Sequence, residues 1–325
     1  MSALFLPVPE PYRQVSEVFG GKAVLVGGAV RDLLLGQTPT DFDFATSLLP
    51  AEVERILCAR KLRPYLVGKR FGTIGFKLPQ PAGNLFVEVT TYRTESYTRG
   101  SRRPNVSFTS SLETDLARRD FTINACALLL SGQVVDPFGG VKDLQTKRLR
   151  CVGKAHVRFA EDPLRILRAV RFAAKYDLQP TKTILQTASR LRNHLLLVSR
   201  ERWSQELDKI LSLPDPTKAL TLLRQTGALQ VLFPPLWLQK RTLWEQTLTR
   251  VAQVSSDRLE LRWAALFLTI EKSFDDFKSS EPSFQTELFR VSLALDLASR
   301  LKFSRSRADY LQEVLTNPEK YFVGE

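Results

Sequence analysis

The stretch "LVGGAVRDLLLGQTPTDFDFATS", residues 25–47, joins a double glycine to a short apolar pattern and then to two aspartates one residue apart. Val24–Val26 predict a buried strand, Gly27 and Gly28 a tight turn, and Val30–Leu35 a short helix. A glycine turn that leads into a helix lets backbone N–H groups approach an anion. The two glycines are therefore candidate phosphate-binding residues, although backbone geometry alone also explains such a turn.

The residues that follow the turn predict a site for phosphate and metal. Arg31 lies in the first turn of the helix, where a planar guanidinium suits phosphate. In a strand of period two, Asp41 and Asp43 share one face, while Phe42 and Phe44 share the other. Two carboxylates in front of buried rings favour Mg²⁺, held by them and by substrate phosphate oxygens. Two solvated acids near a strand edge are the alternative.

A third acidic residue, Glu88, lies in LFVEVTTY at 85–92, an alternating segment that can run beside the first strand. A carboxylate there would bridge metal or deprotonate an attacking hydroxyl. A solvated or ion-paired glutamate fits the same pattern. Glu88 is thus a candidate catalytic residue whose direct contact with metal stays open.

Composition narrows the class of protein. The chain has 325 residues and a net charge of +13, which in a protein with 43% hydrophobic residues favours a polyanionic partner such as nucleic acid. The three cysteines have no Cys-x-x-Cys spacing, so they predict neither a disulfide framework nor a zinc site. No apolar stretch reaches the roughly 18 residues of a membrane span. We therefore expect a cytoplasmic protein without a membrane partner.

The pattern of apolar residues changes near the middle of the chain. Short strand-like runs, the last being TINACALLL at 122–130 and the QVVD that follows, predict a mixed α/β domain up to about Val135. After DPFGG at 136–140, apolar residues recur every three or four positions, which is typical of helices. The sequence therefore predicts an α/β head followed by a helical second half.

Five motifs in order carry a specific resemblance. GGAVRD, DFDFAT, VEVTTYR, RRDFTINA and EDPLRILRAVRFAA resemble the class II tRNA nucleotidyltransferase and bacterial poly(A) polymerase family, with similarity from about Val24 to Leu211. The resemblance implies a nucleotidyltransferase head of the polymerase β type with a mixed sheet, followed by an all-α half. It divides the chain into a catalytic head at 1–139, a helical neck at 140–211 and a tRNA-binding body at 212–325.

The family activity implied is template-independent addition of C, C and A to the tRNA 3′ end from CTP and ATP, with release of pyrophosphate. CC-only addition, A-only addition and poly(A) synthesis share the motifs and remain alternatives. A non-catalytic RNA-binding protein predicts damaged carboxylates, whereas a P-loop or dinucleotide enzyme needs glycine motifs that are absent here. The implied catalytic residues are Asp41, Asp43 and Glu88, with Mg²⁺ on the first two, and the nucleotide-binding residues are Gly27, Gly28, Arg31, Arg119, Asp162, Arg165, Arg168 and Arg171.

The last of the five motifs predicts a helix that reads the base. Asp162 followed by Pro163 predicts an N-cap and first helical position, with Arg165, Arg168 and Arg171 winding around the helix. A carboxylate accepts from the exocyclic amine of cytosine or adenine, while Arg165 donates to neighbouring ring acceptors. Uracil and guanine present a carbonyl there instead. The pair formed by Asp162 and Arg165 is therefore predicted to admit CTP and ATP.

Three further segments have expected roles. In RRDF, Arg119 would touch nucleotide, Asp120 would organise the backbone and Asn124 would support the site, while Arg118 is equally compatible with an exposed surface. The basic segment YTRGSRRPNVSF at 97–108 matches a flexible loop of the family. VSRERWSQELDKIL at 198–211 would brace the base-reading helix, although its basic residues also suit tRNA phosphates. Oligomeric state is not predicted.

Overall fold

The computed structural model describes residues 4–81, 83–96, 105–268, 270 and 283–322, with the backbone alone for 283–290. The chain forms two compact units, Met1–Glu161 and Asp162–Glu325. The three-part division expected from the sequence remains a prediction. In the part of the chain described, no helix is both long enough and apolar enough to cross a membrane.

The first unit is an α/β head. Its helices and strands, in chain order, are α1 (Glu10–Val18), β1 (Ala23–Val26), α2 (Gly28–Leu34), β2 (Phe42–Thr46), α3 (Pro50–Ala59), β3 (Pro64–Tyr65), β4 (Thr73–Gln80), β5 (Gly83–Thr91), β6 (Arg93–Ser96), β7 (Asn105–Phe108), α4 (Leu112–Ala117), β8 (Ala127–Leu128), β9 (Val134–Val135), α5 (Gly140–Gln145), β10 (Arg148–Leu149) and α6 (Ala155–Glu161).

A mixed sheet organises this unit. Seven strands follow the order β3-β4-β5-β2-β1-β8-β9, in which β2 and β5 run parallel and the other neighbours run antiparallel. The predicted mixed sheet is therefore confirmed. The parallel pair matters for function because it places the middle of β2 beside the middle of β5.

Alternating side chains explain why one face of the sheet is covered. Phe42, Phe44, Val87 and Val89 belong to the buried core, whereas the residues between them point to the open face. Tyr12 of α1 packs against Phe44 in that core, with ring centroids 5.4 Å apart. The apolar face thus fixes the register and leaves the acidic face of β2 open.

The segment TINACALLL is not one continuous strand, which corrects the expectation for residues 122–130. Residues Thr122–Asn124 form a 3₁₀ turn, and only Ala127–Leu128 form a strand. The backbone of this turn approaches Gly140 so closely that an added Cβ would lie 2.2 Å from the Thr122 carbonyl oxygen. Strand propensity gives way here to close backbone packing.

Helices dominate the second unit, as the sequence predicts. In chain order the elements are α7 (Arg165–Lys175), β11 (Gln179–Pro180), α8 (Lys182–Leu191), α9 (Arg200–Leu211), α10 (Thr217–Gln225), α11 (Ala228–Leu232), α12 (Pro234–Trp237), α13 (Arg241–Gln253), α14 (Leu259–Phe267), α15 (Ser283–Leu301) and α16 (Arg305–Thr316).

Charged side chains tie the later helices of this unit to α9. Arg307 donates to both carboxylate oxygens of Asp208, at 2.8 and 2.6 Å, and Trp263 donates to the same carboxylate at 2.7 Å. Arg262, 1% exposed, donates to the Leu211 carbonyl at the end of α9. Since a helix end leaves carbonyls without intrahelical partners, this buried guanidinium serves as a cap.

Candidate active site

The three candidate carboxylates lie on the open face of the head sheet. Asp43 is within β2, Asp41 is one residue before the strand, and both are exposed while Phe42 between them is buried. Glu88 of β5 is the direct register partner of Asp43. The predicted alternation of β2 and the predicted neighbouring strand are thus both present, and they bring Asp43 and Glu88 side by side.

The electrostatics of these carboxylates are strained. Partial desolvation by the surrounding protein raises the pKa of Asp43, Arg119 opposes that rise and Asp41 adds to it. Desolvation also raises the pKa of Glu88, and the charge of Asp43 raises it further. Neighbouring negative charges disfavour each other's ionised form. Burial first, and then the neighbouring negative charge, therefore disfavour the ionised forms of Asp43 and Glu88.

This excess of carboxylate oxygens fits a divalent cation. Mg²⁺ is usually held by one or two carboxylates, with water and substrate phosphates completing its octahedron. Asp41 and Asp43 supply two such groups from neighbouring positions, as the sequence predicts. Within the described residues, no group of three or more His, Cys, Asp or Glu side chains forms a candidate metal cluster. The two carboxylates of Asp41 and Asp43 on one face fit a site that substrate phosphates complete.

The raised pKa of Asp43 predicts that removing its charge will stabilise the fold, which can be measured without an activity assay. The pKa of Asp43 is higher in the folded protein than in the unfolded chain. As the pH rises from the unfolded pKa through the folded pKa, the ionisation of Asp43 therefore lowers the free energy of unfolding. At neutral pH, above both values, the full destabilisation remains. We expect Asp43→Asn to raise the metal-free melting temperature at pH 7 by roughly 1–4 °C. Mg²⁺ should raise the melting temperature of the native protein more than that of the variant.

Scanning calorimetry with and without Mg²⁺ checks this expectation. Glu113→Gln is the matched control, because Glu113 is an exposed carboxylate of α4 in the same unit. A lower metal-free melting temperature for Asp43→Asn, or an equal Mg²⁺ shift in both proteins, would contradict the assignment of strain and metal to Asp43.

The double glycine turn holds an arginine close to its backbone. Gly27 has φ of +73°, and an added Cβ would lie 2.7 Å from Nη1 of Arg119. A side chain at this position would therefore suffer both backbone strain and a clash. Helix α2 begins directly after it, at Gly28. The glycine pair thus allows a guanidinium to approach the turn, which the sequence alone does not reveal.

Arg31 is buried, and its expected contact with a phosphate stays a prediction. Its side chain is buried, and Nη1 donates to Asn124 Oδ1 at 2.6 Å while Nη2 donates to Asp32 at 2.8 Å. Asn124 in turn donates to Asp120 at 3.1 Å, and Asp120 accepts from the backbone N–H of Phe121. The expected backbone role of Asp120 and supporting role of Asn124 agree with this network.

Arg119 makes long contacts with the carboxylate of Asp115 and with a backbone carbonyl oxygen. Its Nη2 lies 3.4 Å from Asp115, its Nη1 lies 3.5 Å from the Asn124 carbonyl oxygen, and its buried Nε has no hydrogen-bond partner among the described residues. Burial lowers its pKa, whereas Asp115 and Asp43 raise it. Long contacts and an unused donor leave hydrogen-bonding capacity for an anionic ligand.

Asp115 is a residue that sequence reasoning missed. It is fully buried and accepts from Arg118 at 2.9 Å, from Arg119, and from the backbone N–H of Arg93 at 3.3 Å. Arg118 also pairs with Glu95 at 2.9 Å, so it is not the exposed surface arginine of the alternative interpretation. The spacing of DLARRD places both arginines three and four residues after Asp115, a signal that was available in the sequence.

The predicted base-reading helix is preceded by a turn that Asp162 caps. Regular helix α7 begins at Arg165, two residues after the predicted first helical position at Pro163, and Leu164 already has helical φ and ψ of −58° and −24°. Asp162 Oδ1 accepts the Leu164 N–H at 3.2 Å, and the Asp162 carbonyl oxygen accepts the Arg165 N–H at 3.0 Å. A capping aspartate satisfies the free N–H groups at a helix start by such contacts, so the predicted capping role of Asp162 agrees with the structure.

Helix α9 braces this region, as the resemblance implies. Arg202 donates to both oxygens of Asp162, at 3.2 and 2.7 Å, and the buried Glu206 forms an ion pair with Arg171. Arg165 is 8% exposed, and Arg168 is half-buried over the Phe172 ring, 5.2 Å from its centroid. The Asp162 carboxylate is therefore oriented by Arg202. Residues 97–104 of the expected flexible loop lie outside the described residues.

Two family models match the chain. The model described as poly A polymerase head domain matches residues 23–150, and the model described as probable RNA and SrmB-binding site of polymerase A matches residues 177–239. The first match spans the strands and turns that carry all three carboxylates. The second match begins after α7.

Curated relatives are named CCA-adding enzyme. The protein of Lactococcus lactis subsp. cremoris MG1363 is 38% identical over 282 residues, covering 79% of this chain and 68% of the relative. The protein of Streptococcus mutans is 39% identical, covering 86% and 67%. That of Lactococcus lactis IL1403 is 43% identical, covering 69% and 57%. The chain spans about half to two thirds of the length of the first relatives compared.

Solved structures share the fold. The Bacillus stearothermophilus CCA-adding enzyme in complex with CTP aligns over 96% of this chain and 83% of its own, at 29% identity and a TM-score of 0.64. An apo form of a CCA-adding enzyme aligns over 96% of this chain with a TM-score of 0.65 at 24% identity, which shows the fold alone.

Proposed function

We propose that this chain, which belongs to the family of CCA-adding enzymes with a poly(A) polymerase head domain, adds C, C and A to the 3′ end of tRNA. The addition would need no nucleic-acid template. CTP and ATP would be its substrates, and tRNA in the cytoplasm its partner. The observation that carries the proposal is the pairing of Asp43 with Glu88 across two parallel strands, with Asp41 beside them on the open face.

The reaction joins the primer to the incoming nucleotide in one displacement. The 3′ oxygen of the primer forms a bond to the α-phosphorus, the bond to the β-phosphate oxygen breaks, and pyrophosphate leaves. The hydroxyl proton passes to a carboxylate or to water. Glu88 suits this acceptor role because its raised pKa brings it closer to the range in which general bases work.

Asp41 and Asp43 would hold Mg²⁺, which neutralises charge on the phosphates and lowers the pKa of the attacking hydroxyl when bound. Arg119 lies between Asp43 and the glycine turn, and its guanidinium, whose contacts to the Asn124 carbonyl oxygen and to Asp115 are long, would pair with a phosphate. Gly27 and Gly28 would allow the triphosphate to approach the backbone. Arg31 would act through the hydrogen-bonded Asn124 and Asp32 that keep α2 in place.

Base choice is proposed to rest on α7 and the turn before it. Arg202 fixes the Asp162 carboxylate, leaving acceptor capacity for an exocyclic amine. Arg165 would donate to the ring acceptor beside that amine. Arg168 and Arg171 would line the nucleotide, the latter held by Glu206. A base that presents a carbonyl to Asp162 would leave acceptors facing each other, at a cost of about 1–3 kcal/mol.

The decisive experiment offers the purified protein three tRNA substrates, which lack CCA, lack only A, or are complete. Each is incubated with Mg²⁺ and all four nucleotides, of which a different one is labelled in each reaction, and product length is read on a sequencing gel. We expect three residues on the first substrate, one on the second and none on the third. Two residues only, one residue only, or a long adenosine tract would identify the CC-adding, A-adding or poly(A) alternative.

A further inference from the structure

An exposed aromatic pair lies on the same open face as the catalytic carboxylates. Phe86 of β5 and Tyr65 of β3 are 49% and 36% exposed, with ring centroids 5.7 Å apart. The proposed reaction uses neither of them. An exposed pair of rings on an open sheet face marks a candidate interaction surface.

Strand register places this pair beside the site. Phe86 and Glu88 are two residues apart on β5, so they share a face at a separation of about 6.6–6.8 Å along the strand. Glu88 is flanked by Asp43 on β2 and by Gly75 on β4. The aromatic pair therefore adjoins the row of residues that holds the carboxylates.

A glycine lets the Phe86 ring lie across the sheet toward that row. A Cβ added to Gly75 would lie 2.6 Å from the Phe86 Cζ atom. Because the residue at this position carries no side chain, the ring can rest on the backbone of β4 beside Glu88. The ring is thus held by the strand while about half of its surface faces solvent.

The charge around the rings suits a nucleic acid. Lys77 is the register partner of Phe86, is exposed and lies on the same face as Gly75, since the two are two residues apart on β4. Aromatic rings that stack bases, combined with cations that contact the backbone, are the usual features of single-strand binding surfaces. In single-stranded RNA, bases are open to such stacking.

We propose that Phe86 and Tyr65 form a stacking platform for the unpaired nucleotides at the 3′ end of the RNA primer, with Lys77 contacting their phosphates. Successive stacked nucleotides rise about 3.4 Å per strand, so the distance from Phe86 to Glu88 corresponds to about two of them. Stacking on the platform would add to the affinity for the primer end beside the carboxylates. The inference rests on the proposed function for the identity of the primer.

Primer-extension kinetics with tRNA lacking CCA test the platform. We expect Phe86→Ala to raise the KM for this tRNA by about 5- to 150-fold, the range for loss of one stacked base. The KM for CTP and the kcat at saturating tRNA should stay within about threefold of native values, whereas Phe86→Trp should restore tight binding, because the ring is retained. Val67→Ala is the matched control, since Val67 is a 97% exposed apolar residue near Tyr65 that has no ring.

A second measurement does not depend on catalysis. A tRNA with 4-thiouridine at its last nucleotide is irradiated with the full chain, and the adduct is located by mass spectrometry. We expect the adduct on the peptides that contain Phe86 or Tyr65 and its loss in Phe86→Ala. Circular dichroism of each variant confirms that the fold is retained.

The outcomes separate the platform from the activity. If the native chain crosslinks as expected but incorporates no nucleotide, the proposed function fails and the platform stands. If it incorporates nucleotides while Phe86→Ala leaves the tRNA KM and the crosslink unchanged, the platform is overturned. An equal effect of Val67→Ala would also overturn the platform and indicate a general apolar contact. A native dimer that Phe86→Ala converts to a monomer would overturn it too and indicate that a second copy of the chain covers this surface.

Discussion

Replacing Asp43 by alanine is expected to lower nucleotide incorporation by about 10²- to 10³-fold, because a single electrostatic group aimed at transition-state charge contributes on that scale. Asp43 is the centre of the acidic group, since Asp41 raises its pKa and it raises the pKa of Glu88 in turn. Its removal takes away a proposed metal ligand and leaves the core face of β2 intact. Asp41→Ala should have a similar effect.

Single-turnover incorporation of labelled CMP measures the loss, and a filter-binding assay measures tRNA affinity. We expect the affinity to stay within about twofold, since phosphate contacts by basic residues dominate such binding. Glu113→Gln again serves as a control with a carboxylate lost outside the site. Incorporation within tenfold of the native rate for either aspartate variant would remove the proposed metal site.

Replacing Arg165 by alanine is expected to reduce discrimination of CTP against UTP by about 5- to 150-fold, the equivalent of one buried hydrogen-bonding partner worth about 1–3 kcal/mol. Arg165 is buried, and it begins the helix whose preceding turn holds Asp162. Loss of its donors should weaken CTP and ATP more than the wrong nucleotides. Arg165→Lys should be intermediate, because lysine keeps the charge but not the planar fork.

The ratio of kcat/KM values for CTP and UTP within each variant is the measurement, because a loss of folded protein cancels in such a ratio. Arg241→Ala is a suitable control, since Arg241 is an exposed arginine of α13 in the same unit. A CTP to UTP ratio that Arg165→Ala leaves within twofold of the native ratio would remove Arg165 from base choice.

Sequence patterns with a short period were sufficient to predict the direction of many side chains in the head. The two-residue alternation of DFDF predicts buried phenylalanines and outward carboxylates, and the structure confirms it. The same reasoning anticipated that the strand carrying Glu88 runs beside β2. It was wrong for residues 122–130, where close packing of backbone against Gly140 replaces a strand by a 3₁₀ turn.

Such patterns could not predict hydrogen-bond and ion-pair partners that lie far apart in the chain. The position of Arg31 in the first turn of α2 predicted a phosphate contact, but it could not predict that the guanidinium donates to Asn124, which is 93 residues away in the chain. Asp162 was expected to cap a helix and does accept the Leu164 N–H, but its ion-pair partner Arg202 lies 40 residues away. These contacts depend on which elements pack together, and the spacing of neighbouring residues does not carry that information.

By itself, the sequence determined the α/β head, the helical second unit and the outward direction of the carboxylates, because side-chain direction repeats every two residues in a strand and every 3.6 in a helix. The mixed sheet was implied by the family resemblance. Only the tertiary structure decided that Asp43 faces Glu88, that Arg119 rests against Gly27 and that the Phe86 ring crosses Gly75. The physical reason is that strand register and close packing join residues far apart in the chain. Their charges and volumes interact only once the fold has brought them together.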